Sequence, residues 1–151
     1  MVPTFWIRLL RSRLTHKDLD VSHAVSHPHD PKEDYTITPA RLALRAGELA
    51  REKKAFSVRI LDLRKRSSVT DFFVICSVDA EVQARAVADH ITDTFKTSDI
   101  RPWHTDGYRG TGWVIVDFVD VVVHIFMPRT REFYALEKLW GDAPSRELPD
   151  E

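Results

Sequence analysis

Apolar positions along this chain recur first at helical spacing and then in short strand-like runs. Leu42, Ala46, Leu49 and Ala50 fall on one face of a helix that Thr38 can cap and Pro39 can open. That helix ends in the basic run Arg51–Lys54, where cations suit the negative end of the helix dipole. A strand is predicted at Ser57–Leu63, then a polar turn over Lys65–Thr70. A second strand follows at Asp71–Val78, whose wholly apolar stretch Phe72–Cys76 predicts burial on both faces. Asp79 is placed to cap a helix running to about Lys96, with Val87, Ala88, Ile91 and Phe95 on one side. Ile100–Thr105 reads as a short strand, and Pro102 predicts that it lies at a sheet edge. After Pro128, Thr130 is expected to cap a last helix carrying Phe133, Leu136 and Trp140, with Gly141 stopping it. Residues 144–151 are mostly polar and are expected to fray.

Between these elements lies the stretch Gly112–Met127, with two apolar runs, Trp113–Val116 and Val121–Phe126. Runs this short and this rich in β-branched residues predict an antiparallel hairpin. A turn centred between Phe118 and Val119 sets Asp117 opposite Asp120, Ile115 opposite Val122, and Trp113 opposite His124. One face is then Val114, Val116, Val121, Val123 and Ile125, a pure core face. The other is a mixed row of Trp, Asp and His, and it is the place to look for function. The order α-β-β-α-β-β-β-α predicts one α/β domain, a mixed five-stranded sheet flanked by helices.

Composition narrows the class without naming an activity. A chain of 151 residues with 43% hydrophobic and 30% charged positions is an ordinary single globular domain. The single cysteine, Cys76, excludes an intramolecular disulfide. Net charge is −1 but unevenly spread: residues 1–66 hold 14 Lys and Arg against 8 Asp and Glu, and residues 67–151 hold 8 against 15. The acidic half would repel a phosphate backbone, which argues against sequence-specific nucleic-acid binding and fits a basic protein partner. Residues 1–37 read as a disordered, basic and His-rich extension. Its first 17 residues carry Arg8, Arg11, Arg13 and Lys17, no acid, and Phe5, Trp6, Ile7, Leu9 and Leu10. That composition suits a mitochondrial presequence or a basic amphipathic helix. Bacterial cytoplasm is the expected location, with the mitochondrial matrix as the alternative. No apolar run approaches the roughly 20 residues of a membrane helix.

A search for chemistry mostly fails. Asp117 and Asp120 could hold a divalent ion or share acid–base work, but a metal needs three or more ligands converging on one point. At about 3.3 Å per residue along a strand, His124 lies roughly 13 Å from Asp120. His23, His27 and His29 lack a folded frame for a metal. No phosphate-binding loop is present, since Gly107, Gly110 and Gly112 match neither familiar spacing. Cys76 sits among large apolar residues that disfavour its thiolate. No catalytic residue, cofactor or metal is therefore assigned. What remains is aromatic: Trp103, Tyr108, Trp113 and Trp140 gather around the hairpin, and a Trp in an acidic, loop-rimmed patch can anchor a protein interface.

The ordered series Asp62-Leu-Arg64, Ser68–Asp71, Phe72–Cys76, Asp106-Gly107, Trp113–Asp117, Asp120–Phe126 and Phe133–Trp140 resembles the ribosomal silencing factor, or Iojap-like, family. The resemblance covers about residues 40–143. It implies a domain over residues 38–143 with a nucleotidyltransferase-like fold that lacks the catalytic residues of that fold. It further implies binding to the large ribosomal subunit through its universally occurring protein fourteen, which blocks joining of the small subunit and represses translation. The matching positions place the recognition surface on Asp106, Gly107, Trp113, Asp117 and Asp120, with Tyr134 and Trp140 beside them. Two rivals stay open: a large-subunit assembly factor using the same docking site, and a metal-dependent nucleotidyltransferase using Asp117 and Asp120. A homodimer is also left open. Where the family usually carries glycine at the hairpin turn, this chain has Val119. A β-branched residue resists positive φ, so a loop of about four residues with the same register is expected.

Overall fold

The computed structural model describes residues 37–150; the extension assigned to residues 1–37 lies outside them except for Ile37. The elements are α1 (Pro39–Glu52), β1 (Phe56–Asp62), β2 (Phe72–Ser77), α2 (Glu81–Lys96), β3 (His104–Asp106), β4 (Trp113–Asp117), β5 (Val121–Phe126), α3 (Pro128–Tyr134), α4 (Leu136–Leu139) and β6 (Ser145–Glu147). They build one mixed sheet in the order β3-β4-β5-β2-β1-β6. Only β2 and β5 run parallel; the other neighbours are antiparallel. The central pair β2–β5 is buried along its whole length, as expected for strands covered on both faces. β3 lies at an edge, where Pro102 predicted a strand without full pairing.

One face packs against α1 and α2. Leu42, Ala46, Leu49, Val87, Ala88, Ile91 and Phe95 meet Val74, Val114, Val116, Val121, Val123 and Ile125 there, and Ile37 rests against the same core. Burying a Leu, Ile or Phe contributes roughly 1.5–3 kcal/mol each, so this face supplies much of the fold's stability. The other face is a second core: Leu61, Leu63, Phe73, Ile75, Trp113, Ile115, Val122 and Phe126, joined by Leu136 and Ala143 from the C-terminal segment.

Several local expectations are corrected. The tail does not fray: β6 pairs with β1 through Arg59–Glu147, Ile60–Arg146 and Leu61–Ser145, which gives a sixth strand. Leu148 holds it there, inserting within van der Waals reach of Gly47 beside Val58. The last helix starts at Pro128, not after Thr130, and breaks at Ala135, whose φ of 45° and ψ of 49° are left-handed. Asp79 does not cap α2. Ala80 occupies the cap position, and Gln83 Oε1 accepts the N–H of Asp79, the residue before the cap, at 3.0 Å.

Candidate docking face around the hairpin

The hairpin forms with its predicted faces but a different register. Trp113 pairs with Phe126, Ile115 with His124 and Asp117 with Val122, two residues away from the expected pairing. An even slip leaves every side chain on its predicted face, so the core face and the Trp-Asp-His face survive. The turn explains the slip. Phe118 N–H donates to Val121 O at 2.8 Å and Asp120 N–H donates to Phe118 O at 3.0 Å, closing a γ-turn around Val119. Val119 takes φ 76° there, a strained geometry at any non-glycine residue and most of all at a β-branched one. A loop of about four residues in the same register was expected; instead three residues, Phe118, Val119 and Asp120, join the strands, and Val119 takes the positive φ that its side chain was expected to resist.

Asp117 holds that turn. It is fully buried, and its Oδ1 accepts the Val119 N–H at 2.8 Å. The turn in turn ties β5 to the start of β2, since Asp71 and Phe72 N–H both donate to Asp120 O at 3.0 Å. Asp120 and Asp71 are half-buried at this end of the sheet.

Trp113 is only 3% exposed. Its ring centroid lies 4.9 Å from Phe126, 4.9 Å from Tyr134 and 5.7 Å from His124. Its Nε1–H donates to His124 Nδ1 at 3.1 Å. That bond requires the neutral ring with its proton on Nε2. Complete burial pulls the His124 pKa down from 6.5 to about 3, by desolvation of the charged form. Phe73 closes the far side, 4.5 Å from His124 and 6.3 Å from Trp140. The predicted anchor Trp113 is thus the floor of an aromatic stack whose upper members, Tyr134 and Trp140, are half-buried.

Asp106 and Gly107 lie at the opposite corner of β4. Gly107 has φ 88°, and a Cβ there would stand 1.9 Å from the Trp113 carbonyl oxygen, so no other residue fits. Asp106 Oδ1 accepts the Gly107 N–H at 2.7 Å. This turn therefore sets how β3 lies on β4 at the Trp113 end.

Three residues that sequence reasoning did not select complete the face. Phe133 is 80% exposed and Leu139 72%, both beside the half-buried Tyr134 and Trp140; Phe133 and Tyr134 rings meet edge-on at 5.0 Å. The helical repeat that made Phe133 look like core fails because the helix breaks at Ala135. Arg131 fixes the break. Its Nη1 donates to Ser57 O at 2.8 Å and Ser77 Oγ at 2.9 Å, and its guanidinium grips Glu137 from across the break. A bidentate pair of this kind is both strong and directional. Only the break brings residues six apart together, so no sequence periodicity marks the pair.

As chemistry, the face offers aromatic and aliphatic surface with carboxylates at its ends. Among the described residues no three His, Cys, Asp or Glu side chains converge to hold a metal ion. Cys76 is buried, and desolvation pushes its thiol up to about 12, where it is no nucleophile at neutral pH.

Fold and face together define a small single-domain α/β protein with an aromatic-floored, partly apolar sheet face. The family model described as "Ribosomal silencing factor during starvation" matches residues 36–151. The chain belongs to the ribosomal silencing factor family. The match includes β6 and Leu148, beyond the boundary expected from the sequence. A ribosomal silencing factor of Halalkalibacterium halodurans is 41% identical over 97 residues, 64% of this chain and 83% of that protein. The mouse "Mitochondrial assembly of ribosomal large subunit protein 1" is 32% identical over 95 residues, 61% of this chain and 42% of that protein. A crystal structure of a Chromobacterium violaceum protein aligns with TM-score 0.67 and 28% identity, covering 70% of this chain and 88% of that one.

Proposed function

We propose that this protein represses translation by docking on the large ribosomal subunit at its universally occurring protein fourteen, where its bulk blocks joining of the small subunit. The observation that carries this reading is the family match across residues 36–151. The surface supports it. Phe133, Leu139, Tyr134 and Trp140 form an exposed aromatic and aliphatic patch of the sort that marks protein interfaces. Asp106, Gly107 and Asp120 supply the acidic and turn contacts that steer a basic partner. Trp113 and Asp117 act from below: Trp113 supports the Tyr134 ring and Asp117 holds the turn that carries Asp120. An interface of roughly 1,600 Å² would suffice. The docking is non-catalytic and takes place in the bacterial cytoplasm, or in the mitochondrial matrix for an organellar form.

Phe133→Ala tests the patch, because an 80% exposed side chain contributes little to folding. Co-sedimentation with isolated large subunits is expected to show at least tenfold weaker binding, about 1.4 kcal/mol, at an unchanged unfolding midpoint. Equal affinity would remove the patch from the interface. The name of the mouse relative favours a second reading, large-subunit assembly from the same site. Sedimentation profiles of a deletion strain separate the two: precursor peaks indicate assembly, and a change in subunit joining alone indicates repression.

A further inference from the structure

On the α1 side of the sheet, the start of α1 and the paired strands β1 and β6 flank an open cleft of about 390 Å³. Sites that hold small molecules typically measure roughly 300–1,000 Å³. Ala40 and Leu44, one helical turn apart, line one wall, and Ile60, Phe72 and Pro144 line the other. Ile60 and Phe72 belong to the core beneath α1, whereas Tyr134 and Trp140 pack on the core of the opposite face. The cleft therefore shares no side chain with the docking face.

Its charge is one-sided. Arg41 enters from α1 and Arg146 from β6. Arg146 pairs with Ile60 across the antiparallel strands, and residues directly opposed in such a pair share a face, so both turn toward α1. Among the described residues neither guanidinium has an ion pair or a side-chain hydrogen bond, and both residues are exposed. Arg45, Arg59, Arg66 and Arg131, by contrast, each meet a carboxylate. The carboxylate in the cleft lining, Asp62, is already taken: Arg64 donates to it through Nη2 at 2.6 Å and Nε at 3.0 Å. Arg64 also lies over the Phe72 ring, 5.0 Å from its centroid, and Phe72 is only 6% exposed. Little ring face is left for stacking, so the apolar surface on offer is mainly aliphatic.

We propose that this cleft binds a small aliphatic carboxylate, with its hydrocarbon body against Ala40, Leu44, Ile60 and Pro144 and its head held by Arg41 and Arg146. The planar fork of a guanidinium matches a carboxylate in shape as well as charge. One cation from each wall makes the ligand a bridge between the first helix and the last strand. Because that bridge exists only in the folded chain, the ligand stabilises the fold in proportion to its occupancy.

Octanoate is the probe, titrated into the full-length protein and followed through the methyl resonances of Leu44 and Ile60. Saturable shifts at both residues are expected, together with a rising unfolding midpoint. Under the same conditions 1-octanol, with the same hydrocarbon body and no charge, is expected to bind at least tenfold more weakly. The variant Arg41→Gln/Arg146→Gln is expected to lose at least tenfold in octanoate affinity while its own unfolding midpoint, without ligand, stays unchanged. Absence of saturable shifts at Leu44 and Ile60 overturns the site, as do shifts centred on the exposed Phe133 and Leu139. Equal binding of 1-octanol, or equal octanoate affinity in a folded variant, overturns the role of the arginines. The comparison with 1-octanol needs no variant and decides the question even where the substitutions disturb folding. None of these readings involves ribosomal subunits, so the outcome is independent of the docking proposed above.

Discussion

At the scale of single residues, Val119 and His124 bear most directly on how the docking face is held. Val119 sits at φ 76° because Asp117 and the Phe118–Asp120 bond close the turn around it. A β-branched residue in that region costs about 1–2 kcal/mol. Val119→Gly is therefore expected to raise the unfolding free energy by about 1 kcal/mol, read as a higher urea midpoint; a lower midpoint would mean that the valine side chain packs better than its exposure implies. His124 is neutral when folded, with its pKa pulled down to about 3 from 6.5. The unfolded chain takes up the proton first, so stability is full above pH 6.5 and falls as pH drops through the window from 6.5 to 3. At pH 5 the loss is about 2 kcal/mol, and His124→Gln is expected to flatten that part of the pH–stability curve. Neither effect was legible as such. The Asp and His were selected by their place on the polar face, but their burial depends on segments distant in sequence.

The elements show where pattern reading succeeds and where it stops. The five strands and both long helices are legible because runs such as Phe72–Cys76 and stripes such as Val87, Ala88, Ile91 and Phe95 repeat at the period of the structure they form. The hairpin's faces are legible for the same reason, but its register is not, because a slip of two residues leaves the pattern unchanged. The sixth strand is invisible to periodicity. Ser145–Glu147 is polar and exposed, paired to β1 by its backbone and pinned by one apolar residue, Leu148. Leu148→Ala is expected to cost about 2–4 kcal/mol, measured by urea unfolding, whereas a frayed tail would give no change. The break between α3 and α4 is equally hidden, since alanine seldom adopts φ 45°. Ala135→Gly should stabilise the break by up to about 1 kcal/mol. Arg131→Ala should loosen it and weaken subunit binding without touching the exposed patch itself.

For the whole molecule, the distribution of charge and of exposed aromatic surface matters more than any single contact. The acidic half, 15 Asp and Glu against 8 Lys and Arg in residues 67–151, would repel RNA phosphate and attract a basic protein surface. The candidate site was half legible: Asp106, Gly107, Asp120, Tyr134 and Trp140 reach the surface or its edge, while Trp113 and Asp117 lie beneath it. Phe133 and Leu139 were missed because an unbroken helix would have turned Phe133 inward. In the proposed mechanism no bond is made or broken; a domain of 17.4 kDa occupies space that a second subunit needs. The most direct measurement is a subunit-joining assay. Purified large subunits are incubated with the protein, small subunits are added, and the products are resolved on a sucrose gradient. The account predicts that the protein travels with the large subunit and that the joined-ribosome peak falls as the protein approaches one copy per subunit. A joined peak that stays constant while the protein remains bound would contradict it.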